Sequence, residues 1–492
     1  MKKFSMLVNA NDITGHIERG IYGHFSEHLG RCIYQGIYVG EDSPIPNIHG
    51  IRSDVVEAFR QIKMPVLRWP GGCFADEYHW RDGIGEKNSR TKVLNKSWGG
   101  VVEDNSFGTH EFMELCELVG CEPYIAGNVG SGTVRELAEW VEYMTSDDLS
   151  PTADLRRKNG REKAWKLKYL GIGNEAWGCG GNMTPEFYAG QYKQYRTFCR
   201  NFSGNQLYCI ACGPSGADYN WTDVMMQNLK VNGWWQADGL SLHFYSVPEW
   251  NKKGLATEFS EDDYYELMNT VNYTDELLAV NIGIMDRYDP EGKVGLIVDE
   301  WGTWYDVEPG TNPAFLYQQN TMRDALVAAV SLNIFNRRSK RVKMANLAQA
   351  VNVLQALILT DGEKLIKTPT FHVFDLFKEH QDGECVYCHT QNENLREGKN
   401  VPMISSSASV RDGVLTVTIA NCSLDESAEI ECDICGFGAK SVSARTLTGE
   451  VHACNDFDAP ERLVTTELEA KLENGKLRVT LPACSVSCIT LK

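Results

Sequence analysis

The sequence lacks any apolar run long enough to cross a membrane, and it lacks an excess of positive charge. No stretch approaches the ~20 apolar residues of a membrane-spanning helix. Lys and Arg total 48 against 66 Asp and Glu, which gives a net charge of -18 over 492 residues. Such an acidic surface repels phosphate backbones and anionic lipids. The composition therefore argues against nucleic acid and membranes as partners and favours a neutral or cationic ligand.

The N-terminal segment also lacks the full pattern of a secretion signal. Lys2 and Lys3 precede an apolar run. That run stops after about five residues, whereas the apolar region of a signal peptide needs ~7–15. We therefore expect a cytoplasmic protein whose 16 cysteines are reduced thiols.

Residues 18 to 350 alternate between short apolar runs and amphipathic stretches. Near-continuous apolar runs are typical of parallel strands that are buried on both faces. The stretches between them have helical spacing: one ends at Gly120, and another begins at Thr184 and Pro185. Strands that alternate with helices predict a (β/α)₈ (TIM) barrel. The alternative is a doubly wound sheet, but no G-x-G-x-x-G follows the first run. The eight predicted strands cover residues 20–25, 65–69, 123–128, 168–175, 207–212, 240–245, 294–300 and 342–346.

The pattern changes after about residue 384. Residues 414–419, 428–432 and 477–481 alternate between apolar and polar side chains, as half-buried strands do. Asn474 and Gly475 predict a tight hairpin turn before the last of these strands. We therefore predict a (β/α)₈ barrel over residues 17–384 and an all-β, jelly-roll-like sandwich over residues 385–492. The strand-like segment 1–16 is expected to join the sandwich.

Two glutamates stand at the ends of predicted barrel strands. In a parallel barrel the carboxyl ends of the strands line one mouth, where catalytic groups gather. Glu175 ends the fourth run and Glu300 ends the seventh. Two facing carboxylates are what glycoside hydrolysis requires, since repulsion raises the pKa of one so that it can act as the acid. The alternative is that each is an ordinary glutamate paired with an arginine. The other polar residues at strand ends are His24, Glu27, Arg68, Asn128, Asn174, His243, Tyr245, Asp299 and Gln349.

Tryptophans cluster around the same segments. Trp177 and Trp301 lie two residues or fewer beyond a candidate acid. The apolar C–H faces of sugar rings pack on aromatic rings, so both are candidates for the binding site. The remaining tryptophans near these segments are Trp69, Trp80, Trp98 and Trp304.

Five segments resemble the signature segments of glycoside hydrolase family 51, in the same order along the chain. The resemblance runs from about residue 18 to residue 360 and weakens in the predicted β domain. The segments are Gly-His-Phe-Ser-Glu-His-Leu-Gly at 23–30, Arg-Trp-Pro-Gly-Gly-Cys-Phe at 68–74, Gly-Asn-Glu-Ala-Trp-Gly at 173–178, Asp-Glu-Trp-Gly-Thr-Trp at 299–304 and Ala-Asn-Leu-Ala-Gln at 345–349.

This resemblance implies an intracellular, retaining α-L-arabinofuranosidase with a clan A barrel and a C-terminal β-sandwich. Such an enzyme would remove terminal non-reducing arabinofuranosyl residues from arabinoxylan- or arabinan-derived oligosaccharides. It would need no metal or organic cofactor, and it would form a homo-oligomer, a hexamer or smaller. A β-xylosidase or an endoglucanase on the same scaffold is the alternative within the class. A non-catalytic carbohydrate-binding protein is the alternative outside it, but it would have lost one carboxylate, and both are present.

The resemblance also implies roles for individual residues. Glu175 would be the general acid/base and Glu300 the nucleophile, with Asn174 bonded to the sugar 2-hydroxyl. Arg68 would lie beneath the site and keep Glu300 ionised. Including the two tryptophans selected above, the residues that we expect to bind substrate or to shape the pocket are Glu27, Cys73, Trp98, Trp177, His243, Tyr245, Trp301 and Gln349.

Two cysteine pairs offer a competing interpretation. Cys385 and Cys388 precede His389 in the pattern of c-type haem attachment, and with Cys432 and Cys435 they could bind zinc. Haem attachment requires export, which we do not expect for this chain. Residues three apart in a strand point to opposite faces. We therefore expect no metal or haem at these cysteines.

Overall fold

Eight parallel strands close into a barrel in the order in which they occur along the chain. The computed structural model describes residues 1–473 and 475–492. Each barrel strand overlaps one of the eight predicted runs, which confirms the barrel. The strands are β1 (Gly23–Phe25), β2 (Val66–Trp69), β3 (Glu122–Gly127), β4 (Tyr169–Ile172), β5 (Tyr208–Ala211), β6 (Gly239–Ser246), β7 (Gly295–Thr303) and β8 (Val342–Ala348).

Helices follow the strands and cover the barrel. The capping predicted from the sequence is confirmed: Gly120 ends a helix with a left-handed φ of 83°, and the Thr184 side chain accepts the N–H of Phe187. The helices are α1 (Ser53–Gln61), α2 (Thr109–Val119), α3 (Val134–Thr145), α4 (Pro151–Lys158), α5 (Pro185–Phe198), α6 (Tyr219–Asn228), α7 (Glu261–Tyr288), α8 (Met322–Arg337) and α9 (Pro369–Phe377).

Short antiparallel hairpins lie in the segments that connect the helices and strands of the barrel. One of them carries Trp98 in its loop, which places this side chain over the mouth of the barrel. The hairpins pair Asn47–Ile48 with Ile51–Arg52, Val93–Leu94 with Val102–Glu103, Lys230–Val231 with Trp234–Trp235, and Ile358–Asp361 with Lys364–Lys367.

The C-terminal residues form an all-β domain, as predicted. Its ten strands follow one another in a single hydrogen-bonded order, and the N-terminal strand Lys2–Ile17 lies within that order between β9 and β12. Phe4 and Ile430 pack in one apolar core with Leu415 and Ile489, which lie on strands from the other half of the order. The sheet therefore folds around its own core. Its other strands are β9 (Gly383–Thr390), β10 (Ile404–Arg411), β11 (Val414–Asn421), β12 (Ala428–Cys435), β13 (Val442–Thr448), β14 (Thr466–Glu467), β15 (Ala470–Glu473), β16 (Lys476–Leu481) and β17 (Ser485–Leu491).

The structure does not decide two of the sequence predictions about this domain. Strands β15 and β16 pair antiparallel on either side of the expected turn, but Asn474, its first residue, lies outside the described residues. The division of the chain between residues 384 and 385 stays a prediction, because β9 runs across that position.

Helix α8 joins the two domains. Every residue from Met322 to Asn336 is buried, so the helix faces protein on all sides. Asn333 on this helix accepts hydrogen bonds from the hydroxyls of Ser407 (2.7 Å) and Thr418 (2.8 Å), which lie on the β domain. A helix that is buried all round must pack between two layers, and here the layers are the barrel and the β domain. Within the described residues, no helix has both the length and the apolar character that a membrane crossing needs.

Replacing Asn333 with Ala should destabilise the protein measurably. The substitution removes the shared acceptor of two buried hydroxyls, and leaving such groups unpaired costs about 1–3 kcal/mol. Calorimetric thermal unfolding should show a melting temperature several degrees below that of the wild type. Asn88→Ala is the matched control, because Asn88 is exposed. Equal melting temperatures for the two variants would contradict the role of Asn333.

Candidate active site

Glu175 and Glu300 meet at the mouth of the barrel across one imidazole. Nδ1 of His243, on β6, lies 3.0 Å from Glu175 Oε1 and 3.6 Å from Glu300 Oε1. One oxygen of each carboxylate and the imidazole nitrogen all lie within 4.8 Å of one another. Glu175 sits on the loop after β4 with a left-handed φ of 37°, because β4 ends at Ile172, earlier than predicted. The two carboxylates that the sequence singled out are therefore neighbours.

Glu300 is held as an anion by a network of donors. Arg68 Nη1 donates to Glu300 Oε1 (2.8 Å), and the Tyr245 hydroxyl donates to Oε2 (2.7 Å). Burial on its own would raise the pKa of Glu300. The positive charges of His243 and Arg68 and the two hydrogen bonds outweigh burial, so the pKa lies below its ordinary value. This carboxylate is suited to act as a nucleophile.

The negative charges of Glu300 and Glu175 raise the pKa values of both His243 and Tyr245. Burial favours the neutral imidazole, but the facing Glu300 and Glu175 raise the pKa of His243 above its ordinary value. Burial and the Glu300 charge raise the pKa of Tyr245 well above 10.0. Tyr245 therefore keeps its proton and remains a hydrogen-bond donor to Glu300.

Arg68 connects the two carboxylate-bearing segments from below. Its second terminal nitrogen donates to Oδ1 of Asn174 (2.6 Å), the residue before Glu175. The guanidinium of Arg68 lies over the Phe25 ring. Asp299 approaches Arg68 Nε to 4.0 Å. The register of β6 and β7 shifts at this point, so that His243 pairs with Glu300 and Asp299 is the extra residue. This bulge lets two successive acids face the barrel interior.

Glu27 and Gln349 form the deep end of the site. Glu27 Oε1 accepts from the N–H groups of Gly72 and Phe74 (both 3.0 Å) and from Trp98 Nε1 (2.9 Å). Gln349 Nε2 donates to Glu27 Oε2 (3.1 Å). Burial and the Glu300 charge raise the pKa of Glu27 to about 7, although these donors oppose the shift. Glu27 can therefore either donate or accept near neutral pH.

Solvent exposure of the side chains increases from Glu27 and Gln349 on one side of the cluster to Glu175 on the other. Glu27 is 2% exposed and Gln349 is 1% exposed, whereas 19% of the Glu175 side chain is accessible. The site is therefore a pocket that is closed at Glu27 and open at Glu175. Glu175 stands at the entrance.

Cys73 does lie at the site, but not as a free thiol. It is bonded to Cys179, which is 106 residues away in the sequence, and both sulfurs contact Glu175 Oε2. The expectation that all cysteines are reduced is therefore wrong for this pair. The sequence shows only that each cysteine lies in a glycine-rich segment after a barrel strand. It gave no indication that the two segments touch.

Trp301 does not point into the active site, which corrects the prediction that it binds substrate. Its ring is 3% exposed and packs against Phe335 and Phe374. It follows Glu300 on β7, and successive side chains of a strand point to opposite faces. His24 is likewise buried against Phe374 in the same outer layer. Sequence proximity to an acid was therefore misleading for Trp301.

Trp177 and Asn128 lie beside the site rather than within the carboxylate cluster. The half-buried Trp177 donates its indole N–H to the Gly213 carbonyl (3.2 Å), which ties the turn after Glu175 to the loop after β5. Asn128 accepts the N–H groups of Ser131 (3.0 Å) and Gly132 (2.9 Å). Asn128 therefore shapes a loop after β3.

Asp76 is a buried carboxyl that sequence reasoning missed. Its Oδ1 accepts the N–H of Gly130 (3.1 Å), while Oδ2 faces Gly180 in the turn that follows Glu175. Burial raises the pKa of Asp76 to about 7. Asp76 lies after a short glycine-rich segment rather than at a strand end, so the strand-end rule did not select it.

The four cysteines of the β domain do not assemble into a site. Cys385 and Cys388 lie on β9, and Cys432 and Cys435 lie on β12. The N-terminal strand separates β9 from β12. Among the described residues, the groups of three or more possible metal ligands are Cys73–Glu175–Cys179 and Glu175–His243–Glu300, both at the barrel mouth.

Comparison with known proteins places this chain in a family. Residues 58–267 match a family model described as the α-L-arabinofuranosidase 1 domain, and residues 299–485 match the α-L-arabinofuranosidase C-terminal domain. A Bacteroides ovatus protein named intracellular exo-α-L-arabinofuranosidase is 51% identical over 497 residues, covering 100% of this chain and 96% of that protein.

Solved structures of α-L-arabinofuranosidases superpose on this chain over nearly its whole length. The family 51 arabinofuranosidase from Xanthomonas axonopodis pv. citri superposes with a TM-score of 0.97 at 43% identity and covers 100% of both chains. The α-L-arabinofuranosidase from Thermotoga maritima, solved as an arabinose complex, has a TM-score of 0.86 at 34% identity and covers 99% of both chains. The chain therefore belongs to the α-L-arabinofuranosidases of glycoside hydrolase family 51.

Proposed function

We propose that this protein is a retaining, exo-acting α-L-arabinofuranosidase in which Glu300 is the nucleophile and Glu175 is the acid/base. The observation that carries the proposal is the asymmetry of two neighbouring carboxylates. Their nearest oxygens lie within 4.8 Å, but only Glu300 bonds the buried Arg68. Retention needs carboxyl groups ~5–5.5 Å apart, against ~6.5–9.5 Å for inversion. The spacing supports the retaining pathway.

In the first step Glu300 attacks the anomeric carbon of the arabinofuranosyl unit. Glu175 gives its proton to the departing oxygen, so that the sugar becomes an ester of Glu300 with inverted configuration. Tyr245 and Arg68 orient the attacking carboxylate through its two oxygens. Asn174 lies beside the acid, where an amide bonded to the 2-hydroxyl strengthens its contact as positive charge develops on the ring.

In the second step Glu175 acts as a base. It takes a proton from a water molecule, which attacks the anomeric carbon from the face that the leaving group vacated. The ester to Glu300 breaks, and arabinose leaves with its original configuration. Glu175 is the more accessible of the two carboxylates, which supports its contact with both the leaving group and water.

The closed end of the pocket supports exo action. Glu27, Gln349 and Trp98 surround the position of the terminal sugar, and the first two are almost inaccessible. A chain continuing beyond that sugar would have to displace them. Only a non-reducing terminal unit fits with its scissile bond at Glu175. Arabinoxylan- or arabinan-derived oligosaccharides are the substrates we propose.

A cytoplasmic location and a homo-oligomeric assembly complete the proposal. The location is supported by the name of the Bacteroides ovatus relative, which calls that protein intracellular. The assembly, a hexamer or smaller, rests on the family resemblance. Light scattering of the purified protein would measure its subunit number, and cell fractionation would locate it.

Alanine substitutions at the two acids should separate their roles. Both Glu175→Ala and Glu300→Ala should lose roughly 10²–10⁴-fold or more of the hydrolysis of an aryl α-L-arabinofuranoside. Azide should rescue Glu175→Ala to the α-azide, because it attacks the ester in place of water. It should rescue Glu300→Ala to the β-azide by a single displacement. Product NMR distinguishes the two anomers.

Glu469→Ala is the control for these variants, because this exposed residue lies in the β domain. It should keep wild-type turnover. Azides with the opposite assignment of anomers would reverse the two roles. Cleavage of an aryl β-xyloside, with the arabinoside left intact, would overturn the substrate assignment but leave the two acids in place.

The Tyr245→Phe variant should shift the acid limb of the pH profile. Glu300 must be ionised to attack, and its pKa is depressed in part by the Tyr245 hydroxyl. Removing that donor raises the pKa, so activity should be lost at a higher pH as the medium is acidified. The maximal kcat/KM should also fall roughly 10- to 100-fold. Tyr387→Phe, on the exposed face of β9, should keep the wild-type profile. An unmoved acid limb in Tyr245→Phe would contradict this role.

Exo action should be visible in the products. Arabino-oligosaccharides labelled at the reducing end should shorten by one sugar at a time and release only free arabinose, because the pocket is closed at Glu27. Chromatography of a time course measures this. Early release of di- and trisaccharides would instead indicate an endo-acting enzyme.

A further inference from the structure

Two sulfur atoms lie against the oxygen of Glu175 that is free of His243. Glu175 Oε1 bonds His243, while Oε2 lies 3.4 Å from Cys179 Sγ and 3.9 Å from Cys73 Sγ. A disulfide sulfur carries no proton, so these are contacts rather than hydrogen bonds. The two sulfurs and the carboxylate oxygen form a compact triangle, with all three atoms within 4.8 Å of one another. Oε2 is thus the oxygen available to a leaving group, and its neighbours are sulfur.

This disulfide is open to reductants. Cys179 is exposed and Cys73 is partly exposed, whereas most of the remaining cysteines are buried. A dithiol can reduce it by exchange: one thiolate attacks a sulfur, the Cys73–Cys179 bond breaks, and the second thiolate closes the reagent into a cyclic disulfide. Two electrons pass to the protein sulfurs, which take up two protons as thiols. A reducing compartment shifts this exchange toward the dithiol form.

The geometry points to a redox-gated site for a soft divalent metal ion, with Cys73 Sγ, Cys179 Sγ and the Glu175 carboxylate as its ligands. Zinc binds such sulfur and oxygen ligands tetrahedrally, and three protein ligands leave a fourth position for water. Binding releases the two thiol protons. Calcium and magnesium prefer all-oxygen sites and do not fit this set. In the oxidised form both sulfurs are already bonded to each other, and the site is closed.

Metal at this site would block catalysis at its acid/base. An ion on Glu175 Oε2 occupies the oxygen that has to exchange a proton with the leaving group and with water. The other possible ligand group in the described chain, Glu175–His243–Glu300, contains no sulfur and does not change on reduction. Zinc should therefore inhibit the reduced enzyme and spare the oxidised one. This inhibition, though not the binding, rests on the proposed function.

Cadmium serves as the probe of binding, because its bonds to thiolates absorb in the ultraviolet. The full-length protein would be prepared oxidised, or reduced with dithiothreitol that is then removed under argon. The oxidised form should hold 14 free thiols, and the reduced form all 16. The reduced protein should bind one more cadmium ion per chain than the oxidised protein. Equal binding by the two forms would overturn the proposal.

Two variants and one control assign the ligands. Cys179→Ser and Cys73→Ser should each lose the additional cadmium ion, and exposed Cys179 is the substitution least disruptive to folding. Cys435→Ser is the matched control, because it removes an exposed thiol of the β domain. It should bind cadmium as the wild type does. Loss of the additional ion in Cys435→Ser alone would place the site elsewhere and overturn the assignment.

Inhibition is measured separately from binding. Saturating zinc should reduce arabinobiose hydrolysis by the reduced wild type roughly 10²-fold, which is the contribution expected of a general acid, and a chelator should restore it. The oxidised wild type and reduced Cys179→Ser should keep their own activity in zinc. Equal inhibition of the oxidised and reduced wild type would contradict the gate. If arabinobiose is not cleaved at all, the proposed function fails, while the cadmium titration still decides the site.

Discussion

A single buried cation organises the mouth of the barrel. The guanidinium of Arg68 is almost wholly inaccessible, and it binds both Glu300 on β7 and Asn174 beside the acid. A buried charge is costly unless it is paired and hydrogen-bonded, so Arg68 requires these partners as much as they require it. Because Arg68 itself lies on β2, it fixes β2, β7 and the loop after β4 relative to one another.

The same cation makes two identical side chains chemically different. Glu175 and Glu300 share the imidazole of His243, but Arg68 and Tyr245 both bind Glu300. The positive charges of His243 and Arg68 and the hydrogen bonds from Arg68 and Tyr245 hold the pKa of Glu300 below its ordinary value, so Glu300 keeps its charge. The division of labour that we propose for the two acids thus matches their positions, with Glu300 on a strand and Glu175 on a loop at the entrance.

The barrel and the acid pair were predictable from the sequence because both follow from local patterns. Buried parallel strands are apolar along their whole length, and their ends share one mouth, which was sufficient to select Glu175, Glu300, Glu27 and Gln349. Trp301 could not be judged in the same way, because one residue along a strand reverses the face on which a side chain lies. Nearness in sequence to an acid therefore said little about nearness in space.

The missing parts of the site depend on contacts between distant loops. The bond between Cys73 and Cys179 joins the loops after β2 and β4 across 106 residues, and no spacing rule relates them. Asp76 likewise acquires its surroundings from Gly130 and Gly180, each on a different loop. Loops are positioned by the scaffold as a whole, so pairs of this kind emerge only after the barrel is closed.

Helix α8 carries a consequence for how this architecture can evolve. The helix is buried on every side, with the β domain supplying one of its walls. A barrel without that domain would expose an apolar helix surface to water. The strand Lys2–Ile17 adds a second tie, because it lies in the β domain although it precedes the barrel strands in sequence. The β domain is therefore not an interchangeable module, and recombination that swaps it for another fold would have to replace the outer surface of the barrel at the same time.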